Sequence, residues 1–287
     1  MIGTSPKGSY KETMKLDSLV SVIIPTKNSA KHLRVVLEKV FAQSYEKLEV
    51  LIVDNDSSDG TRQIAQEFNT QVLNKGPERS DQKNFGVSNS RGEYVLILDS
   101  DCELEKNVIK ECVELCQGGA DGVMIPLRHK GSGFWVKAKN LERICYDGDD
   151  DLESPWFIRR SAFKKVGGFN TNLVAGEDWD IAYRLRKEGY ILVRNRSVMH
   201  HNLDNYSVKD AFIGKFYYGR KLNKYLQVGN ENVRRQIPFF RTAYIRNWKR
   251  LLSHPLLTLG FIFLKFVESA AVLIGLVYER IFSTKRK

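Results

Sequence analysis

The sequence predicts an α/β fold, a mostly parallel central sheet flanked by helices, followed by a helical, basic and hydrophobic C-terminal region. Three observations carry that expectation. Between residues 18 and 98, short apolar runs of strand length alternate with segments of helical period, the signature of parallel strands joined by crossover helices. Polar features recur where those runs stop, at Pro25-Thr26, Asp54 and Asp99-Ser100-Asp101, and such sheets bind ligands beyond the carboxyl ends of their strands. The charge is unevenly spread: residues 202–287 hold sixteen Lys and Arg against five Asp and Glu, which leaves 29 of each sign in the rest of the chain and puts the whole net +11 in the last 86 residues. A neutral body with a basic tail argues against a nucleic-acid binder with a dispersed basic face, and for a tail that meets an anionic surface.

In chain order, residues 19–25 read as a buried strand ended by proline. Leu33, Val36, Leu37, Val40 and Phe41 then fall on one helical stripe. A second strand over residues 48–53 is broken by Asp54-Asn55-Asp56-Ser57-Ser58-Asp59-Gly60-Thr61, where Asp59 is placed to cap the helix carrying Ile64, Ala65 and Phe68. A short strand at 71–73 and a helix at 82–90 lead into the apolar run that ends in Asp99-Ser100-Asp101. On extended backbone Asp99 and Asp101 face the same way, a geometry suited to a hard divalent cation; a plain turn accounts for the same residue types. Residues 190–199 read as a further strand ending in His200-His201. The four cysteines form no CxxC pair and suggest ordinary thiols of a reducing compartment, and the polar N-terminus has no apolar stretch of a secretory signal.

Taken together, Val22-Ile23-Ile24-Pro25-Thr26-Lys27-Asn28, the Asp54 to Thr61 segment, Gly92-Glu93-Tyr94 followed by Asp99-Ser100-Asp101, Gly167-Gly168-Phe169-Asn170 and Gly176-Glu177-Asp178-Trp179-Asp180 resemble the inverting family 2 glycosyltransferases of the GT-A fold. The resemblance covers residues 18–201 and implies three regions: a polar extension (1–17), a GT-A glycosyltransferase domain (18–201) and a membrane-associating region (202–287). It implies that Asp54 accepts a hydrogen bond from the nucleotide base, with Pro25 and Thr26 lining the same pocket. Asp99 and Ser100 would lie against the sugar nucleotide, and Asp99 and Asp101, the family's DxD, would hold Mn²⁺ or Mg²⁺. His201, or else its neighbour His200, would complete the metal's protein ligands, because adjacent strand residues point oppositely. Arg79 would contact a phosphate. Asp178 would be the general base that deprotonates the acceptor hydroxyl, with Glu177 beside it and Trp156 and Trp179 on the acceptor side. Two alternatives remain open on the residues themselves: Trp156 can fill core as well as stack on a sugar, and acidic residues such as Glu177 and Asp178 also favour the first turn of a helix. Asp81 departs from the family pattern, which has a small residue there.

In the tail, Phe212, Phe216, Tyr217, Tyr218, Leu222, Tyr225 and Leu226 are interleaved with Lys215, Arg220 and Lys221, as in a basic amphipathic helix, and Phe239, Phe240, Tyr244 and Trp248 repeat the theme. Residues 255–278 carry only Lys265 and Glu268 as charges. Such a stretch is long enough to cross a bilayer, but its two charges, and basic residues on both sides, favour a helix lying in the interface. The expectation is thus a metal-dependent inverting glycosyltransferase at the cytoplasmic face of the cell membrane. It would move a sugar from a nucleotide-diphosphate donor to a polyprenyl phosphate or polyprenyl-linked saccharide. The alternatives are an enzyme of soluble or cell-surface glycan synthesis, or a nucleotide-sugar-binding module without turnover.

Overall fold

The computed structural model describes residues 17–150, 152–227 and 241–283. The N-terminal extension up to residue 16, Asp151, Phe239, Phe240 and the terminal Lys285-Arg286-Lys287 lie outside the described residues. At the centre is β1 (Val20–Thr26), mostly apolar and buried along its whole length. It pairs in parallel with β2 (Leu48–Asp54) on one side and β4 (Tyr94–Ile97) on the other, and β3 (Gln71–Asn74) extends the sheet in parallel beyond β2. Beyond β4 come β8 (Phe157–Arg159), β6 (Gly122–Met124) and β9 (Leu192–Arg194), where β8 is antiparallel to both neighbours. A second, three-stranded sheet has the order β5 (Cys102–Leu104), β10 (Met199–Asn202), β7 (Leu127–Lys130).

Helices cover both faces, which is why the central strands are uninterrupted apolar runs. On α1 (Ala30–Phe41) the expected stripe buries Leu33, Val36, Leu37 and Val40. Phe41 is the exception, exposed on the helix end and stacked on Phe68 with ring centres 5.8 Å apart. At α2 (Thr61–Gln66) the capping position belongs to Gly60, in the left-handed conformation, rather than to Asp59. The Asp59 carboxylate still accepts from the Thr61 N–H at 3.2 Å, and it also accepts from Ala30 N–H at 3.0 Å, so it ties together the starts of two helices. Under the sheet runs α3 (Arg79–Ser88), so close that a methyl group on Gly86 would lie 2.3 Å from Ile23 Cγ2. The remaining body helices are α4 (Val108–Gln117), α5 (Phe134–Ile144), α6 (Arg160–Lys165) and α7 (Glu177–Lys187). All four cysteines are buried and unpaired.

Two sequence expectations are corrected. The strand before Asp99 stops at Ile97, and Cys102 N–H donates to Asp99 C=O at 3.0 Å, so Asp99-Ser100-Asp101 is a turn and not extended backbone. The single strand expected at 190–199 is two strands in different sheets. The chain crosses between them where Glu111 of α4 accepts from the Arg196 and Ser197 N–H groups at 3.1 and 2.8 Å.

The C-terminal region packs on this body. Its helices are α8 (Val208–Gln227), α9 (Thr242–Arg246), α10 (Trp248–Leu252) and α11 (Pro255–Ser283). Contacts advance in the same direction along α8 and α11: Ala211 clusters with Leu264, Gly219 meets the Val272 backbone, and Arg220 pairs with Glu279 at 2.9 Å, so the two helices run parallel. They approach closely because glycine stands at the contact. A methyl group on Gly219 would lie 2.5 Å from the Val272 carbonyl oxygen, and one on Gly275 would lie 2.4 Å from that of Phe216. Its other flank seats α11 on α5 through four buried charges. Lys139 reaches Glu142 at 2.8 Å and Glu268 at 2.5 Å; Lys265 reaches the same two carboxylates at 2.8 and 3.0 Å. Lys265 and Glu268, the two charges of the apolar stretch 255–278, thus pair with each other and face the body. Each member has two partners, the condition under which buried charge is tolerated, and removal of one member strands the others.

Glu268→Ala is therefore expected to destabilise the protein by about 3–5 kcal/mol. The half-exposed pair in Glu279→Ala is expected to cost under about 1 kcal/mol. Thermal melts in detergent measure both, and equal losses would contradict the network's role.

Candidate functional site

The strand ends meet at one rim. Thr26 and Asp54, last residues of β1 and β2, are register partners. The Asp54 carboxylate is fully buried: it accepts from Thr26 Oγ1 at 2.8 Å, Ser57 Oγ at 2.6 Å and Ser57 N–H at 2.9 Å. Asp54 therefore shapes the turn behind Thr26, and it does not line the cavity that Pro25 and Thr26 do. Gln82 of α3 fixes the same rim from below, donating to the Thr26 and Val53 carbonyls at 2.9 and 2.6 Å.

One strand over, the Asp99–Cys102 turn turns two carboxylates toward the cavity. Oxygens of Asp99 and Asp101 and the Cys102 sulfur lie within 4.8 Å of one another. Burial raises the Cys102 thiol well above its ordinary value, and the nearby aspartates add to that effect, so the sulfur stays protonated. His201 supplies a better third donor, with Nε2 3.2 Å from Asp101 Oδ2. Burial works against the Asp101 charge, but the His201 contact and Arg79 outweigh it and hold the carboxyl below its usual range. His200 points away, 3.5 Å from Glu105. Two carboxylates and an imidazole are a donor set that Mn²⁺ accepts readily and Mg²⁺ accepts through its oxygens. Arg79, the first residue of α3, stands 4.0 Å from Asp99, and the Asp99 charge drives its pKa up further. Ser100 Oγ donates to Ser29 Oγ at 2.9 Å, pinning the turn to the start of α1.

Opposite the turn, α7 presents Glu177 and Asp178. Gly176 precedes it in the left-handed conformation, φ +82°, and a methyl group there would lie 2.7 Å from the Tyr225 ring, so α8 fixes where α7 begins. Between α3 and α7 sits Lys83, 1% exposed, its ammonium 3.2 Å from Asp178 and 3.6 Å from Glu177. Burial opposes the Lys83 charge, but Asp178, Asp99 and Glu177 outweigh it and raise its pKa. Burial pushes the Glu177 carboxyl up to about 7, Asp178 adds to the rise, and Lys83 only partly offsets it. Asp178 is the more open of the two, about one-third exposed, and faces the cavity.

These groups line one cavity of about 1080 Å³: Pro25, Thr26, Arg79, Asp99, Ser100, Asp101 and His201 on one side, Trp156, Glu177, Asp178 and Trp179 on the other. Trp156 does two jobs, packing on the main core while lining the cavity. Trp179 donates to the Leu152 carbonyl at 3.4 Å and lies beside Tyr225, ring centres 6.0 Å apart. The acidic stretch before Trp156 is an ion-pairing surface, with Asp147 on Arg128 at 2.5 Å and Asp149 on Arg246 at 3.4 Å.

Sequence reasoning missed Lys83, Gln82 and His129. The signal for the first two was Gln82-Lys83-Asn84 in a helix that must pass under an apolar sheet, where polar side chains need dedicated partners. His129 is the register partner of His201 across β7 and β10, their rings 5.4 Å apart. Burial, reinforced by His201, holds its pKa down at about 2, and its Nδ1 has no hydrogen-bond partner among the described residues.

Comparison with known proteins places this geometry. A family model described as glycosyl transferase family 2 matches residues 21–173. Among curated proteins, the chain is 29% identical to glycosyltransferase AglE of Haloferax volcanii over 198 residues, 60% of this chain and 63% of that protein. It is 34% identical to glycosyltransferase GlyG of Streptococcus pneumoniae over 110 residues, 36% of each chain. The chain thus spans less than two thirds of either relative. A dolichyl N-acetyl-α-D-glucosaminyl phosphate 3-β-D-2,3-diacetamido-2,3-dideoxy-β-D-glucuronosyltransferase of Methanococcus voltae is 23% identical over 259 residues, 77% of this chain and 78% of that one. Among solved structures, the mannosyltransferase PcManGT of Pyrobaculum calidifontis, in complex with GDP-Man and Mn²⁺, has a TM-score of 0.60 at 17% identity, covering 92% of this chain and 76% of that one. TarS of S. aureus (residues 1–349) in complex with UDP has a TM-score of 0.53 at 18% identity, covering 93% and 92%. At such identities the structural likeness carries the fold.

The raised Glu177 pKa has a consequence for stability. A carboxyl that binds its proton more tightly folded than unfolded stabilises the fold below the unfolded pKa and loses that contribution as pH rises toward about 7. Glu177→Gln is expected to raise the melting temperature at pH 8, with the difference shrinking toward pH 5. A difference that grows on acidification would contradict the assignment.

Proposed function

The chain belongs to glycosyltransferase family 2, and from that premise we propose that it is an inverting, metal-dependent glycosyltransferase. It transfers a sugar from a nucleoside-diphosphate donor to a lipid-linked acceptor at the cytoplasmic membrane surface. The observation that carries this reading is the convergence of the Asp99-Ser100-Asp101 turn and Asp178, far from it in sequence, on one cavity.

The acceptor hydroxyl binds on the Trp156 and Trp179 side, where Asp178 accepts its proton as the new bond forms. The hydroxyl oxygen attacks the anomeric carbon from the face opposite the diphosphate. The bond from that carbon to the phosphate oxygen breaks, and the electron pair leaves with the nucleoside diphosphate. Lys83 orients Asp178 through the 3.2 Å contact, and Arg79 meets the negative charge gathering on the diphosphate. A divalent cation held by Asp99, Asp101 and His201 would add Lewis-acid stabilisation of that leaving group. Pro25 and Thr26 form the floor for the nucleotide. Asp54 supports this floor through Thr26 and Ser57; its direct contact with a base requires Ser57 to release the carboxylate.

Membrane seating is supported by the outer face of α11. Leu259, Phe266 and Leu273, seven residues apart, are 62–67% exposed, while Leu264, Glu268 and Ala271 on the opposite face are buried against the body. Pro255–Phe282 is long and apolar enough to cross a membrane by composition. With one flank seated on α5 and α8, it is better suited to lie in the interface, where Ile245, Trp248 and Leu252 add exposed apolar groups. The lipid-linked acceptor implied by the name of the Methanococcus voltae relative agrees with this placement.

Asp178→Asn is expected to lower transfer by about 10²–10⁴-fold while metal-dependent binding of nucleoside diphosphate persists. Donor-screened release of nucleoside diphosphate and calorimetric titration measure the two, and transfer at the wild-type rate would contradict the base assignment. Combined substitution of Leu259, Phe266 and Leu273 by Gln is expected to release the protein from anionic liposomes, read by co-sedimentation. Undiminished sedimentation would contradict seating through this face.

A further inference from the structure

The cavity does not end at the catalytic carboxylates. It continues to where α5, α8 and α11 meet, and there Lys139, Lys215, Lys265, Glu142 and Glu268 face the same space. Lys139 and Lys265 are each held by both carboxylates. Lys215 is not: among the described residues its ammonium has no ion-pair or hydrogen-bond partner, only the face of Tyr218 at 5.8 Å. Three ammonium groups against two carboxylates leave one positive charge in excess at this end of the cavity. Burial pushes the Lys215 ammonium down to about 8, Glu268 partly offsets this, and Lys139 and Lys265 add to it. Glu268, already paired with Lys139 and Lys265, is thus the carboxylate that acts on Lys215, which has no ion pair of its own among the described residues. A half-buried ammonium without an ion pair of its own is a site that an anionic ligand would complete.

Farther along α8 and α11 the wall of the same cavity becomes apolar, through Leu222, which packs beside Tyr225 and Trp179, and through Val272, Leu273 and Leu276. Leu273 also belongs to the exposed apolar face of α11. The cavity wall formed by α8 and α11 thus carries an ammonium with no ion pair of its own at one end and, on the Trp179 side, an apolar strip that reaches the surface.

We propose that this inner end of the cavity is the anchoring subsite of the acceptor, in which Lys215 binds a phosphate of a membrane carrier lipid whose hydrocarbon chain leaves along Leu222, Val272, Leu273 and Leu276. The assignment rests on the reading of the chain as a lipid-directed glycosyltransferase and adds the groups that hold the acceptor. A soluble anion would leave the apolar strip unused, and a neutral lipid would leave Lys215 without its counter-ion.

The test is equilibrium binding to the full chain in detergent without donor, read by tryptophan fluorescence, with farnesyl phosphate as probe and farnesol and inorganic phosphate as comparators. Farnesyl phosphate is expected to bind saturably and at least about tenfold more tightly than either comparator, and Lys215→Gln to weaken it by about tenfold or more, with Lys215→Arg retaining most of the affinity. Equal affinity for farnesyl phosphate in the wild type and Lys215→Gln overturns the assignment. Farnesol binding as tightly overturns the phosphate contact, and inorganic phosphate binding as tightly overturns the lipid. The three-ligand comparison on the wild type decides the matter even if Lys215→Gln fails to fold. Manganese-dependent UDP and GDP binding is followed in the same samples. Its absence in the wild type overturns the transferase reading, whereas its persistence without farnesyl phosphate binding overturns only the subsite.

Discussion

The buried ammonium of Lys83 is the constraint on which the site depends. It sits between α3, which is pressed against β1 and β2, and the first turn of α7, and it faces Glu177 and Asp178 at 3.6 and 3.2 Å. Two carboxylates at the start of one helix repel each other, and the helix dipole alone supplies too little to hold both. The fully buried Lys83 cation adds to it, offsetting only part of the rise at Glu177. It also fixes Asp178 relative to the strand ends, because the helix that carries Lys83 also carries Arg79 and Gln82, which meet Asp99 and the Thr26 carbonyl. Donor side and acceptor side are thereby set by one helix.

The same logic recurs at the C-terminal region. Glu142 and Glu268 hold Lys139 and Lys265 in a buried square, and Tyr146 and Tyr244 add hydroxyl contacts to Glu142. Buried ion pairs of this kind are weak as sources of net stability but strong as selectors of one arrangement, since any other docking of α11 leaves a charge uncompensated. The apolar helix is thus committed to the body on one flank and free on the other. That asymmetry is the basis for proposing that it seats at a membrane surface rather than forming an independent span.

Much of this was legible in the sequence. The alternation of strands and helices gave the parallel core, because a strand covered on both faces must be apolar throughout. Asp99 and Asp101 stood out because they end an apolar run, whereas Asp178 was singled out through the resemblance to the family 2 motifs. What escaped was everything that depends on which segments meet. Lys83 and Asp178 are 95 residues apart and Lys139 and Glu268 are 129 apart, so no local pattern links them. His129 became visible only through its register with His201. Asp54 shows the opposite case: its position at a strand end was read correctly, but the direction of its side chain was decided by Ser57 and Thr26.

The proposed reaction is a single displacement, with Asp178 as the open carboxylate on the acceptor side and Glu177 buried against Lys83. It is tested most directly by the anomeric configuration of the product, read from the coupling of its anomeric proton in nuclear magnetic resonance after transfer from whichever nucleotide sugar is turned over. Inversion relative to the donor is the predicted result. Retention would require a glycosyl intermediate on a second nucleophile and would contradict the account.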